Sequence, residues 1–220
     1  MQPIWHPSPN FGPRRNGLRP SLIVLHYTGM RDTEAALERL CDRGAEVSAH
    51  YVISPSGQLM QLVEESLRAW HAGAGSWDGQ SDINSRSIGV ELVNSGAQPF
   101  PEPQMRCLEA LLQGVMARWQ IAPHQVIAHS DMAPERKEDP GPRFDWRRLN
   151  RLSLAVCPDG MGDDLPLAPS LDAIGYPQAS AEKRLQAFRF RFHPTAQGDE
   201  GVADRCRAAA VAAAFRAVRP

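Results

Sequence analysis

Residues 21–27 read SLIVLHY, and the four residues after the serine are all leucine or β-branched. A strand that shows one face to water alternates apolar and polar side chains. One that stays apolar throughout is covered on both faces. This run therefore asks for a sheet with helices packed over it. It also carries His26 to the rim of that sheet, where loops collect functional side chains.

The rest of the chain supplies the partners. Residues 50–54 (HYVIS) and 58–63 (QLMQLV) flank Pro55-Ser56-Gly57 and predict a β-hairpin. Residues 87–93 (SIGVELV) and 126–129 (VIAH) predict two further strands. Asp32 or Thr33 can cap a helix with Leu37, Leu40 and Cys41 on one face. Over 103–119, Met105, Leu108, Leu111, Leu112, Val115, Met116 and Trp119 recur at helical spacing, a stripe that faces the sheet. A short helix is expected over 144–152. Residues 1–20 read as an irregular arm, and 70–84 as a loop rich in Gly, Ser and Trp. A hairpin among buried strands points to an α/β fold with a mixed central β-sheet flanked by helices, not a regular doubly wound sheet.

Near residue 153 the composition shifts. Residues 153–169, which include CPDGMGDDLPLAP, have the Pro, Gly and Asp content of a linker. Beyond it, residues 171–174, 180–192 and 204–218 predict a small three-helix module, the last helix alanine-rich with Val211, Phe215 and Val218 on one stripe. About 50 residues are too few for a confident independent fold, so the module is expected to dock on the first domain. The expected division is a domain over 1–152, a linker over 153–169 and a helical module over 170–220.

A net charge of −1 over 220 residues gives no electrostatic case for nucleic acid or an anionic membrane. No apolar run approaches the ~18 to 20 residues that span a bilayer, and MQPIWHPSPNFGPRRNG lacks the apolar core of a secretory signal. Cys41, Cys107, Cys157 and Cys206 are widely spaced, as expected of thiols in a reducing compartment. The expected location is cytoplasmic, or periplasmic if an upstream signal has been removed, and the expected state a monomer.

His26 closes one strand, His129 closes another, and Glu91 lies near the end of a third. The loop after His129 is charged and proline-rich. Two histidines and an acidic residue from that loop would give a metal three ligands and leave a fourth position for water, the pattern of catalytic zinc. Spacing alone does not decide this, because His26 and His129 are over a hundred residues apart. His26 taken singly also reads as a satisfied core histidine. Glu91 is harder to place in a core, since a lone buried carboxylate is costly.

The segments LHYTG (25–29), WHAG (70–73), NSRSIGVEL (84–92) and AHSDMAPERKEDPGPRFDW (128–146) resemble, in order, the motifs of the zinc-dependent N-acetylmuramoyl-L-alanine amidases, the amidase-2 family related to peptidoglycan recognition proteins. The resemblance covers residues 5–150. It implies hydrolysis of the amide between N-acetylmuramic acid and L-alanine, with one Zn2+ per chain. By position it implies His26, His129 and Asp139 as zinc ligands, Glu91 as catalytic acid/base and Lys137 as a cation stabilising the transition state. Pro140-Gly141-Pro142 would then brace Asp139, while Asp131, Glu135 and Glu138 remain loop or surface charges. Tyr27, His50, Trp70, His71, Trp77 and Asn84 are expected along a sugar–peptide cleft, with a structural role as the alternative for His50. His6, His124 and His193 read as solvated surface.

LQAFRFRFHP (185–194) and DEGVADRCRAAAVAAAF (199–215) are similar to a helical peptidoglycan-binding-like module fused to some of these amidases. The implied substrate is a muropeptide or peptidoglycan, with soluble 1,6-anhydro muropeptides favoured for a cytoplasmic enzyme. Two alternatives stay open: a non-catalytic peptidoglycan-binding protein of the same fold, and a metallopeptidase acting within the stem peptide.

Overall fold

A computed structural model describes residues 2–219. The strands are β1 (Ile4–Trp5), β2 (Phe11–Gly12), β3 (Leu22–Tyr27), β4 (Tyr51–Ile53), β5 (Leu59–Gln61), β6 (Arg68–Ala69), β7 (Ser87–Leu92) and β8 (Val126–Ala128). The helices are α1 (Thr33–Cys41), α2 (Ile83–Arg86), α3 (Glu102–Trp119), α4 (His129–Met132), α5 (Trp146–Arg151), α6 (Leu167–Ile174), α7 (Ala181–Phe192) and α8 (Val202–Val218). A six-stranded sheet runs in the order β1-β5-β4-β7-β3-β8, and β2 pairs with β6 apart from it. β4, β7, β3 and β8 are mutually parallel, and β5 runs against β4. The architecture is the expected mixed sheet between helices.

The uniformly apolar β3 lies at the centre of this set, with Ile23, Val24 and Leu25 all 0% exposed. On β4 and β5 the period of two divides the core. Tyr51, Ile53 and Leu59 pack with Leu108, Leu112 and Val115 of α3, whereas Val52 and Met60 pack with Ala36 and Leu40 of α1. α1 starts at Asp32, whose carboxylate accepts a hydrogen bond from Ala35 N at 2.9 Å. α3 is pinned by Gln104, whose buried amide donates to Ile53 O and Val93 O at 2.8 and 3.1 Å. Those bonds fix the first turn of α3 against the sheet.

The N-terminal arm is more ordered than its sequence predicts. β1 adds to the β5 edge and β2 to β6. Polar side chains then tie the arm down: Ser8 Oγ donates to Leu40 O at 2.6 Å, and Asn10 Nδ2 donates to Asp42 O and Val47 O. Arg14 donates to Glu65 O, Asn84 O, Ser85 O and Ser87 O. Two-residue strands carry no readable pattern, and these anchors lie more than thirty residues away in sequence.

The region expected as linker contains the first turn of α6, and residues 154–157 are buried. Helices α6, α7 and α8 share the α3-side core, with Phe188, Phe192 and Phe215 inside it. Trp77, expected in the cleft, instead meets Tyr176 and Phe215 edge-on, at ring-centroid distances of 5.3 and 6.4 Å.

Candidate active site

The parallel strands all present their carboxyl ends to one rim, the usual place for a ligand site in such sheets. His26 of β3 stands in register with Glu91 of β7. His129 is the first residue of α4, immediately after β8. Asp139 comes from the charged loop and is tethered by Ser130 N donating to its carbonyl at 3.0 Å. Gly141, within the Pro-Gly-Pro turn, takes a φ of 74°, a left-handed backbone that glycine adopts without strain.

Three donor atoms converge there. His26 Nδ1 and His129 Nδ1 are 2.9 Å apart, and each is 3.0 Å from Asp139 Oδ2. A tetrahedral zinc with bonds of ~2.0 to 2.1 Å separates its ligand atoms by about 3.3 Å, so an outward shift of a few tenths of an ångström in each donor would seat such an ion. The residues are 1%, 3% and 7% exposed, and a buried His/His/carboxylate set with an open side is suited to a catalytic divalent metal. Burial, reinforced by His129, lowers His26 to about 4. Burial alone would raise Asp139, but the two histidines outweigh it and hold the carboxyl well below its usual range.

Glu91 faces the same space. Its Oε2 is buried and has no hydrogen-bond partner among the described residues. Burial, with Asp139 adding to it and Lys137 opposing it, pushes its pKa up to about 8. A cavity of about 440 Å³ connects the parts. Its lining includes all three triangle residues, Glu91, Lys137, Tyr27, Trp70 and His71, together with Arg39, Arg136 and Glu138.

His50 and Asn84 do not line this cavity. His50 Nδ1 accepts from Gly89 N at 2.9 Å, and Asn84 Oδ1 accepts from His71 N and Ala72 N at 3.0 and 2.8 Å. Both hold backbone. His71 reaches the lining but stands behind His26, its Nδ1 3.0 Å from His26 Nε2. Burial, with the neighbouring imidazoles adding to it, keeps its pKa well below 6.5.

Asp131 is no surface charge. It is fully buried, 2.6 Å from Arg191, and accepts from Tyr176 Oη at 2.7 Å and Ala128 N at 2.9 Å. His124 is buried against Phe215, and His193 meets Asp204 at 2.9 Å, so neither is simply solvated. Glu135 accepts from Ser180 N.

The sequence reasoning passed over Arg136, whose guanidinium donates to Ala72 O and Ala74 O, and Ser87 and Gly89. A signal for the last two exists: in SIGVEL, Ser87, Gly89 and Glu91 alternate with Ile88, Val90 and Leu92. The apolar set enters the α3-side core, which leaves the other three on the face that carries the site.

A family model described as N-acetylmuramoyl-L-alanine amidase matches residues 16–142. The N-acetylmuramoyl-L-alanine amidase AmiD of Escherichia coli K12 is 33% identical over 222 residues, covering 84% of this chain and 79% of that protein. The 1,6-anhydro-N-acetylmuramyl-L-alanine amidase AmpD of Citrobacter freundii is 33% identical over 163 residues, covering 66% of this chain and 87% of its own length. Among solved structures, E. coli AmiD in complex with the substrate anhydro-N-acetylmuramic acid-L-Ala-D-gamma-Glu-L-Lys superposes with a TM-score of 0.77 at 30% identity, covering 91% of this chain and 90% of that one. Pseudomonas aeruginosa AMPDH3 superposes with a TM-score of 0.80 at 26% identity, covering 92% and 94%.

Proposed function

This chain belongs to the N-acetylmuramoyl-L-alanine amidase family, and from that premise we propose the reaction and the residues that carry it. The enzyme hydrolyses the amide between N-acetylmuramic acid, its 1,6-anhydro form included, and the L-alanine of the stem peptide, in cell-wall recycling. In this reading His26, His129 and Asp139 hold a zinc ion. Bound there, zinc would supply Lewis acidity, lowering the pKa of water and polarising the scissile carbonyl.

The observation that carries the mechanism is the unpartnered Oε2 of Glu91, buried in the cavity that holds the triangle. As a carboxylate, Glu91 takes a proton from the attacking water and returns it to the departing alanine nitrogen. Its raised pKa suits it to keeping that proton between the two steps. Lys137, on the same cavity wall, offsets the negative charge that grows on the carbonyl oxygen as water adds. Tyr27 and Trp70 line the space where sugar and peptide would lie.

The proposed setting is the cytoplasm. No helix among the described residues is long and apolar enough to cross a membrane. The proposed state is a monomer, which light scattering can check. Mass spectrometry of products from anhydro-muropeptides and from intact sacculi, each with and without chelator, tests the reaction. Peptides with a new L-alanine amino end, lost on chelation, are expected. Cuts within the stem peptide would point to a metallopeptidase, and binding without cleavage to a recognition module. Glu91→Gln should keep the metal and lose turnover.

A further inference from the structure

We propose that Ser87 and His71 are positioning residues that fix the tautomer of His26, so that its Nδ1 meets the metal position bare; this rests on the metal site proposed above. The argument follows single protons. Ser87 Oγ lies 2.6 Å from Ile83 O. Two oxygens that close need a hydrogen between them, and only the hydroxyl has one, so Ser87 donates to Ile83 O. Its lone pairs face His71 Nε2 at 3.1 Å, and that nitrogen must therefore carry a hydrogen. A neutral imidazole has one N–H, so His71 Nδ1 is bare. It faces His26 Nε2 at 3.0 Å, which makes His26 Nε2 the donor and leaves His26 Nδ1 bare in the triangle.

Steric design agrees with this proton count. A Cβ built on Gly89 would stand 2.4 Å from His71 Cγ and 2.7 Å from its Nδ1. β7 carries no side chain where the imidazole lies, and any side chain there would push the ring off Ser87 and His26. The second metal-site histidine is set from the same segment. His129 Nε2 is 3.0 Å from Ala72 O, an acceptor only, so it donates and its Nδ1 is bare too. Asn84 clamps that segment by accepting from both His71 N and Ala72 N. One carbonyl oxygen thus anchors the settings of both imidazoles. Two imidazole nitrogens and a carboxylate oxygen then face one another at 2.9–3.0 Å, an arrangement that a bound cation would satisfy without turning either ring.

The test reads tautomers and metal affinity, not turnover. In zinc-loaded wild-type protein at pH 8, two-bond 1H–15N correlations of the imidazoles should show His71 as the Nε2–H tautomer and His26 joined to the metal through Nδ1. Zinc affinity from chelator competition should fall about 10- to 100-fold in Ser87→Ala and His71→Leu, the usual effect of losing a ligand's supporting partner. His71→Asn, whose Oδ1 can accept in place of Nδ1, should bind within a few-fold of wild type. A zinc-loaded His71 found as the Nδ1–H tautomer overturns the proposal, and so does a folded Ser87→Ala that binds zinc as wild type does. The wild-type spectrum needs no variant to fold. Failure of wild type to bind zinc at all would instead remove the metal-site reading on which this one stands.

Discussion

Replacing Arg191 with methionine should unfold this protein more readily than any surface charge change. Arg191 and Asp131 are both 0% exposed at the side chain and 2.6 Å apart. The guanidinium also donates to Val126 O and Val156 O, and stacks 4.1 Å from the centre of the Trp146 ring. Methionine would keep part of the stacking and volume but leave Asp131 with only Tyr176 Oη and Ala128 N. Removing one partner of a buried ion pair costs about 3–5 kcal/mol, because the other charge stays buried uncompensated. In a chain of this size each kcal/mol moves Tm by roughly 2–4 °C, so a drop of about 10 °C is expected. Urea unfolding measures the free energy directly. Arg205→Met is the control: its partner Asp164 is about half exposed, and losing a pair that solvent screens should leave Tm close to wild type. Adding Asp131→Asn to Arg191→Met should recover part of the loss by removing the stranded charge. An Arg191→Met protein within about 1 kcal/mol of wild type would refute the claim that the buried Asp131 of α4 depends on Arg191 of α7 for its compensation.

Other outcomes follow from the site. Burial raises Glu91 from 4.5 to about 8, so the folded state holds its proton more tightly than the unfolded state, and the native fold loses stability as pH rises between those values. Metal-free Glu91→Gln should therefore melt above metal-free wild type at pH 8, with the gap closing toward pH 4.5; equal melting at both ends would contradict the buried carboxylate. The acid limb of kcat/KM should lie between 4.5 and about 8, since a bound cation would draw the Glu91 value down. Lys137→Ala should lower kcat about 10²- to 10³-fold with KM little changed, and a large rise in KM alone would assign Lys137 to substrate binding. Gly89→Ala must displace the His71 ring, an overpacking cost of about 1–3 kcal/mol, visible as a lower urea midpoint and weaker zinc binding together.

Much of the fold is legible because burial writes a pattern. The Leu22–Leu25 run of β3 is apolar because both of its faces are buried, and α3 repeats its leucines because one face meets the sheet. The histidines and Glu91 could be placed at strand ends for the same reason. Register then did what sequence could not, setting His26 beside Glu91. The misreadings share a cause. Asp131 stands in a charged stretch that reads as loop but forms α4, and the arginine that neutralises it comes 60 residues later. Asn84 is a polar residue in a region that also supplies the cleft, yet its bonds go to the backbone of His71 and Ala72; for His50, its bond from Gly89 N bears out the structural alternative. Ser8, Asn10 and Arg14 anchor an arm whose two-residue strands have no periodicity to detect.

The alternation along β7 joins two demands that usually act on separate residues. Ser87, Gly89 and Glu91 occupy one face and Ile88, Val90 and Leu92 the other, so a slip of one residue would exchange the faces entirely. It would drive a carboxylate and a hydroxyl into the α3-side core and put an isoleucine and two other aliphatic side chains over the metal position. A chain misregistered at β7 would thus be inactive and also unstable enough for quality control to remove it. Selection for a well-packed sheet is, along this strand, selection for a working amidase.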